Sequence, residues 1–398
     1  MPDRRNRHED RRLPRRHKPA SPLTHLLALG PLITAVGCSE PTEPVPQATP
    51  TNEAAHPRLR LQGAGASFPA PLYASWTRNH PSASTLRIQY RQVGSLGGIE
   101  AIRDGRVDFG ASDIPLGAAE LESAGLLQFP AMVGGVVPVV NLPGVGPGEL
   151  VLEPSLIADI YRGAVTRWDD PAITALNPEL VLPSHEILPI HRDDPSGTTW
   201  IFTRKLAQCS EAWRDVAGYG QQVPWPTGIG ARDNSQVLDF VTQFERTIAY
   251  MEFAHAQQHE LSWVTLQLAD AERVQPSTAS FAVAAEGAFG SRSENFVFDT
   301  AQAGTDGGWP FTSASYALIR ADQPDAARAR ALLEFFTWTQ DQGHAIALDL
   351  DYVPVPAEIL PFIQQRWVQR VRVSGEPVWA LAPPPSEEPP PPTPPVEP

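Results

Sequence analysis

Only two cysteines, Cys38 and Cys209, occur in the chain, and their surroundings differ too much to read as a disulfide pair. Redox chemistry is not expected, and Cys209, on a predicted helix, reads as a small buried or partly buried thiol. The apolar run near the N-terminus, 23–37, is broken by His25 and Pro31 and is too short to cross a bilayer well. Positive charge is the minority: 31 Lys and Arg stand against 45 Asp and Glu, a formal charge of −14. That balance argues against a nucleic-acid partner and obliges any anion site to work at short range against the overall field. Catalytic signatures are also missing. No Gly-x-Ser-x-Gly elbow occurs, the ten histidines are scattered without a nucleophile to serve, and no His/Asp cluster has two-metal spacing. No catalytic residue, metal or cofactor is therefore expected, and an exported hydrolase is disfavoured. No internal repeat is present.

What is present begins with an address. Residues 1–37 place eight Lys or Arg against three acids ahead of the apolar run, the layout of a signal peptide. Its end, Ala35-Val36-Gly37-Cys38, resembles a bacterial lipobox, with Ala35 where Leu is commoner. The resemblance implies cleavage before Cys38 and a lipid on that cysteine that anchors the chain to a membrane. Residues 38–56 are a proline-rich disordered tether, and 381–398 a disordered tail with ten prolines. The 42% hydrophobic content and the length left between them suffice for a large core in two domains.

In that stretch, short apolar runs (Leu86 to Tyr90, Val107 to Gly110, Gly134 to Asn141, Ile187 to Ile190, Tyr316 to Ile319) alternate with helical patterns. The helices are expected over Pro71 to Asn79, Gly98 to Arg103, Thr198 to Ala207, Gln236 to Phe244 and Ala326 to Thr339. This alternation predicts an α/β fold with parallel sheets. Ligands of open α/β sheets sit at the carboxyl ends of strands, so the polar, mostly Gly-rich segments Gly63 to Pro69, Gly94 to Gly98, Asp108 to Asp113 and Arg192 to Thr198 read as loops at that edge. Glycine lets backbone approach a ligand, a helix start offers unpaired amides, and Arg192 offers a planar cation. Together these suit an oxyanion. Taken singly, each has a plainer reading: a serine as a helix cap, a glycine as a turn, Arg192 in an ordinary ion pair.

From about Leu61 to Val371 these segments occur in an order that resembles one family. The stretches are Gly63 to Tyr73, Val107 to Pro115, Gln128 to Val137, Asp159-Ile-Tyr-Arg-Gly163, Trp168 to Ile173, Leu176-Asn-Pro178, Arg192 to Thr198 and Asp349 to Pro354. They are similar to the phosphate-binding proteins of bacterial phosphate-specific ABC transport. The resemblance implies a two-lobed periplasmic-binding-protein fold of type II-like form, two α/β domains joined by crossover hinge strands with the ligand in the cleft. Lobe 1 is expected from 57–135 plus 311–380 and lobe 2 from 136–310. Carried over by position, the phosphate ligands are Ser67, the Phe68 amide, Ser95 and Asp113 from one lobe. Arg192, Asp194, Ser196, Gly197 and Thr198 come from the other, with Asp194 holding Arg192. The implied partners are inorganic phosphate and the permease subunits of an importer with its ATPase. The protein is expected as a monomer on the periplasmic or extracellular face. The aromatic residues Trp168, Trp309 and Tyr352 read as packing rather than docking groups.

Asp113 is the expected selectivity element. Phosphate keeps a proton near neutral pH and can donate it to an ionised carboxylate, whereas sulfate has none to give. A site built around one such hydrogen bond discriminates by up to about 10⁴ to 10⁵ fold. Other oxyanions remain an alternative, arsenate above all, as does a surface phosphate sensor or adhesin displayed on the proline-rich tethers.

Overall fold

The computed structural model describes residues 59–269, 272–288, 295–298 and 307–380. The signal sequence, Cys38 with its tether, and the proline-rich tail lie outside the described residues. The strands that position the site are β1 (Leu59–Gly65), β2 (Leu86–Gln92), β3 (Phe109–Ser112), β4 (Leu126–Asn141), β5 (Leu188–Arg192), β6 (Ile229–Ala231), β7 (Thr247–Glu252) and β8 (Thr312–Arg320). Helices α1 (Ala70–Asn79), α2 (Gly94–Arg103), α3 (Gly197–Cys209), α4 (Asn234–Gln243), α5 (Phe253–Gln258), α6 (Ala326–Thr339) and α7 (Leu360–Arg370) accompany them.

The strands form one sheet in the order β2-β1-β3-β8-β4-β7-β5-β6, with Ser262–Trp263 pairing separately on β4. Two parallel trios, β2-β1-β3 and β7-β5-β6, flank the central pair. That pair departs from the parallel expectation: β8 is antiparallel to both β3 and β4, and β4 is antiparallel to β7. The reason is topological. The chain leaves one trio along β4 and returns along β8, so the two passing strands must oppose each other. Leu126 to Gly135 pair with β8, whereas Val136 to Asn141 pair with β7, and the partner changes at Gly135/Val136. Every residue of β4 between its ends is buried except Leu127, which explains its almost unbroken apolar sequence.

Local chemistry sets the helices. Pro71 opens α1, where a missing N–H costs nothing, and Leu72, Tyr73 and Trp76 are its buried face. Ser196 caps α3 by accepting from the Thr199 amide at 3.2 Å, and Asp325 caps α6 from Arg328 at 2.8 Å. Helix α2 begins at Gly94 rather than Gly98. Its glycines are poor helix formers, but they let the helix touch the sheet: a Cβ on Gly98 would lie 2.5 Å from Gly65 Cα. Trp168, Trp309 and Tyr352 are buried as expected, with Trp309 Nε1 donating to Val136 O at 2.8 Å. Cys209 departs from expectation. It ends α3 and is exposed, because the apolar face of that helix runs through Ile201, Phe202 and Leu206.

Candidate functional site

All nine residues expected at the site lie at carboxyl ends of strands or in the helix starts that follow. Ser67 and Phe68 lie between β1 and α1, Ser95 is in the first turn of α2, and Asp113 directly follows β3. Arg192 ends β5, Asp194 and Ser196 lie in the loop after it, and Gly197 and Thr198 open α3.

The loops from the two trios meet. A Cβ on Gly197 would lie 2.4 Å from Asp113 Oδ2 and 2.5 Å from Ser95 Oγ, an approach no other residue permits. Ser95 Oγ accepts from the Asp113 amide at 3.2 Å, and Ser315 on β8 donates to Asp113 Oδ1 at 2.7 Å. Asp194 grips Arg192 in a fork, Nε to Oδ1 at 2.5 Å and Nη2 to Oδ2 at 2.6 Å. Phe68 is fixed from behind, its carbonyl accepting from Tyr352 Oη at 2.7 Å. The first amides of α3 have no acceptor within the helix, so Gly197 and Thr198 present donors beside Asp113.

Two residues that the sequence reading passed over belong to this cluster. Asn234, at the start of α4, accepts from Arg192 Nη1 and donates through Nδ2 to Ser67 Oγ at 3.0 Å, tying the two sets of loops together. The same Nδ2 lies 2.9 and 2.7 Å from the two carboxylate oxygens of Glu252, the last residue of β7. Glu252 also accepts from Thr198 Oγ1 at 2.8 Å and lies 3.4 Å from His255 Nδ1. The Thr198 hydroxyl is thus committed to Glu252. The available signal was an acid closing the otherwise apolar strand Thr247–Glu252 at its carboxyl end, the position where ligands gather.

The two buried carboxylates titrate oppositely. Burial pushes Asp113 up to about 7; the Ser315 and Ser95 hydrogen bonds and the Arg192 charge oppose the rise, and the negative charge of Glu252 adds to it. Burial would raise Glu252 too, but the hydrogen bond and charge of His255, with backbone and Thr198 donors, hold it at about 2. Arg192 stays a cation: burial works against its charge, and Asp194 more than offsets this. No group of three or more His, Cys, Asp or Glu suited to a metal occurs among the described residues.

The fold and this loop arrangement have relatives. Residues 49–341 match the model of the PBP superfamily domain. The phosphate-binding protein PstS of Xylella fastidiosa is 38% identical over 355 residues, covering 87% of this chain and 98% of that protein. The chain belongs to the PstS family. A second PstS, from Haemophilus influenzae, is 41% identical over 308 residues, 77% of this chain and 92% of its own. Among solved structures, a high-affinity periplasmic phosphate-binding protein bound with phosphate superposes with a TM-score of 0.63 at 18% identity, covering 80% of this chain and 98% of that one. At that identity the likeness supports the two-lobed fold alone. No helix among the described residues of this PstS-family chain is long and apolar enough to cross a membrane.

Proposed function

We propose that the protein captures inorganic phosphate between its lobes and delivers it to the permease subunits of an ABC-type importer, acting as a binding protein and not as an enzyme. The lobes are 57–135 with 311–380, and 136–310; the change of strand partner at Gly135/Val136 supports that division. The ligand set is Ser67, Phe68, Ser95, Asp113, Arg192, Asp194, Ser196, Gly197 and Thr198. Export by the N-terminal signal and a lipid on Cys38 would hold the monomer on the periplasmic or extracellular face of a membrane.

The observation that carries this reading is the approach of the α3 start to Asp113, with Gly197 against its Oδ2. Helix amides and the Arg192 guanidinium supply donors for an oxyanion, and Asp113 supplies one acceptor among them. Phosphate, like arsenate, brings the proton that this acceptor needs, while sulfate sets lone pair against lone pair. Isothermal titration of the chain with phosphate and sulfate, in wild type and Asp113→Asn, is the test. Phosphate heat without sulfate heat is expected in the wild type. The substitution should weaken phosphate and narrow the gap to sulfate. Absence of phosphate heat in the wild type would overturn the reading.

A further inference from the structure

The two oxygens of Asp113 have different surroundings. Oδ2 faces the start of α3, and its hydrogen-bond donor among the described residues is the Ser95 hydroxyl at 3.5 Å, too long for a strong bond. Oδ1 instead accepts from Ser315 Oγ at 2.7 Å, the ordinary length of an O–H···O bond. Ser315 is 1% exposed, and its hydroxyl makes no other hydrogen bond among the described residues. It is not in the ligand set.

The sheet is what puts Ser315 there. Strand β8 runs antiparallel to β3 with Tyr316 opposite Ser112, so one step further along the same register Ser315 stands opposite Asp113. On its other side β8 shifts register against β4 between Ser315 and Tyr316: these face Met132 and Pro130, and Ala131 is the extra residue. A bulge of this kind re-aims a side chain beside a site. It is pinned, since the Ala131 carbonyl accepts from buried Gln340 Nε2 at 2.9 Å. Ser315 and Asp113 both belong to the proposed lobe 1, so closure neither makes nor breaks their bond, and the acceptor is oriented before a ligand arrives.

We propose that Ser315 is a positioning residue for anion selection: its hydroxyl ties down Asp113 Oδ1, aims Oδ2 at the ligand, and thereby sustains the discrimination against sulfate. The inference rests on the phosphate-binding reading above. Burial pushes the Asp113 carboxyl up to about 7; Ser315 is foremost among the groups that oppose the rise, ahead of Ser95 and Arg192, and Glu252 adds to it. The other titratable groups whose charge bears on Asp113 are the phenols of Tyr73, Tyr90 and Tyr352, which burial holds neutral. Without the Ser315 donor the carboxyl keeps its proton to higher pH. A protonated Asp113 is a donor, and sulfate accepts from it where the ionised form sets lone pair against lone pair.

The test is competition of sulfate against phosphate, by isothermal titration of the full chain between about pH 5.5 and 8.5. Sulfate should compete in the wild type only towards the acid end. Ser315→Ala should carry that boundary about one pH unit higher and weaken phosphate roughly 2- to 10-fold at the alkaline end. Ser315→Thr, which keeps the hydroxyl, should hold the wild-type boundary. Each ligand's own ionisation is common to all variants, so a displaced boundary belongs to the protein. Adding Ser315→Ala to Asp113→Asn should move nothing further, since the hydroxyl then has no carboxylate to serve. A boundary unmoved in Ser315→Ala, or displaced equally in Ser315→Thr, would overturn the proposal, as would sulfate that competes at none of these pH values. Phosphate that fails to bind the wild type would overturn the phosphate reading and this inference with it, whereas wild-type binding with an unmoved boundary sinks this inference alone.

Discussion

Asp113 and Glu252 are each about 1% exposed, yet one holds its proton to about pH 7 and the other releases it near pH 2. The difference lies in their neighbours. His255 sits against Glu252, whereas the cation nearest in role to Asp113 is Arg192, already committed to Asp194 and Asn234. Asp113 is raised in the folded state, so its protonated form is the one that suits the fold. Stability from this group is fully present below its ordinary value of 3.8 and is lost as pH rises through about 7, a difference on the order of 4 kcal/mol. Asp113→Asn should therefore raise the urea midpoint above that of wild type at pH 8 and lose this advantage at pH 4, even as it weakens phosphate. A gain equal at both pH values would rule out an elevated Asp113. Glu252 has the opposite sign: its contribution is present above pH 4.5 and is lost as pH falls towards about 2. His255→Gln removes the charge that holds Glu252 ionised and should cost about 1 to 3 kcal/mol at pH 7, read from urea unfolding. The loop residues proposed for the site came from the family resemblance carried over by position, since singly a glycine, serine or arginine in a strand-to-helix loop reads equally as a turn, a cap or an ion pair. Glu252 and Asn234 were not legible, since a strand-ending acid and a residue opening a helix look the same whether or not they face a ligand.

At the scale of elements, the N-terminus of α3 concentrates the site: it is capped by Ser196, presents the Gly197 and Thr198 amides, and touches Asp113 only because residue 197 has no side chain. Gly197→Ala separates helix from site. Alanine improves helix propensity, so circular dichroism should be unchanged, but its methyl would enter the space of Asp113 Oδ2 and Ser95 Oγ. Phosphate affinity should fall at least about tenfold by titration, equivalent to about 1.4 kcal/mol. Affinity equal to wild type would mean that α3 does not close on Asp113. The proline-opened helix α1 and the capped helices α3 and α6 were readable from spacing and end residues. The start of α2 was hidden by glycines whose purpose, contact with β1 and β3, is tertiary. The N-terminal half of β4 was hidden because a strand buried on both faces lacks the alternation that marks one. The antiparallel central pair was invisible locally, being a consequence of how the chain travels between two trios.

For the molecule as a whole, the proposed function has closure of the lobes join capture to delivery, and contacts spanning the two proposed lobes should then set its equilibrium. Asn234 to Ser67 is one, inside the site. Another lies outside it: Gln257 Nε2 on α5 donates to Asp351 Oδ2 at 2.7 Å, and Asp351 holds a left-handed φ of 60° to receive it. Neither residue is in the ligand set, so the bond can favour the closed form without touching phosphate. A contact made only when closed multiplies the closed population, and apparent affinity follows that population. Removing an exposed hydrogen bond worth about 0.5 to 1.5 kcal/mol should weaken phosphate roughly 2- to 10-fold in Gln257→Ala. The change should fall mainly on the dissociation rate in stopped-flow measurements, with the urea midpoint of the phosphate-free protein nearly unchanged. Should the midpoint drop while phosphate affinity holds, Gln257 and Asp351 move as one body and the lobe boundary lies elsewhere. If both parameters stay at wild-type values, the bond does not bias closure, and the preference for the closed form rests on the approach of Gly197 to Asp113 and on Asn234.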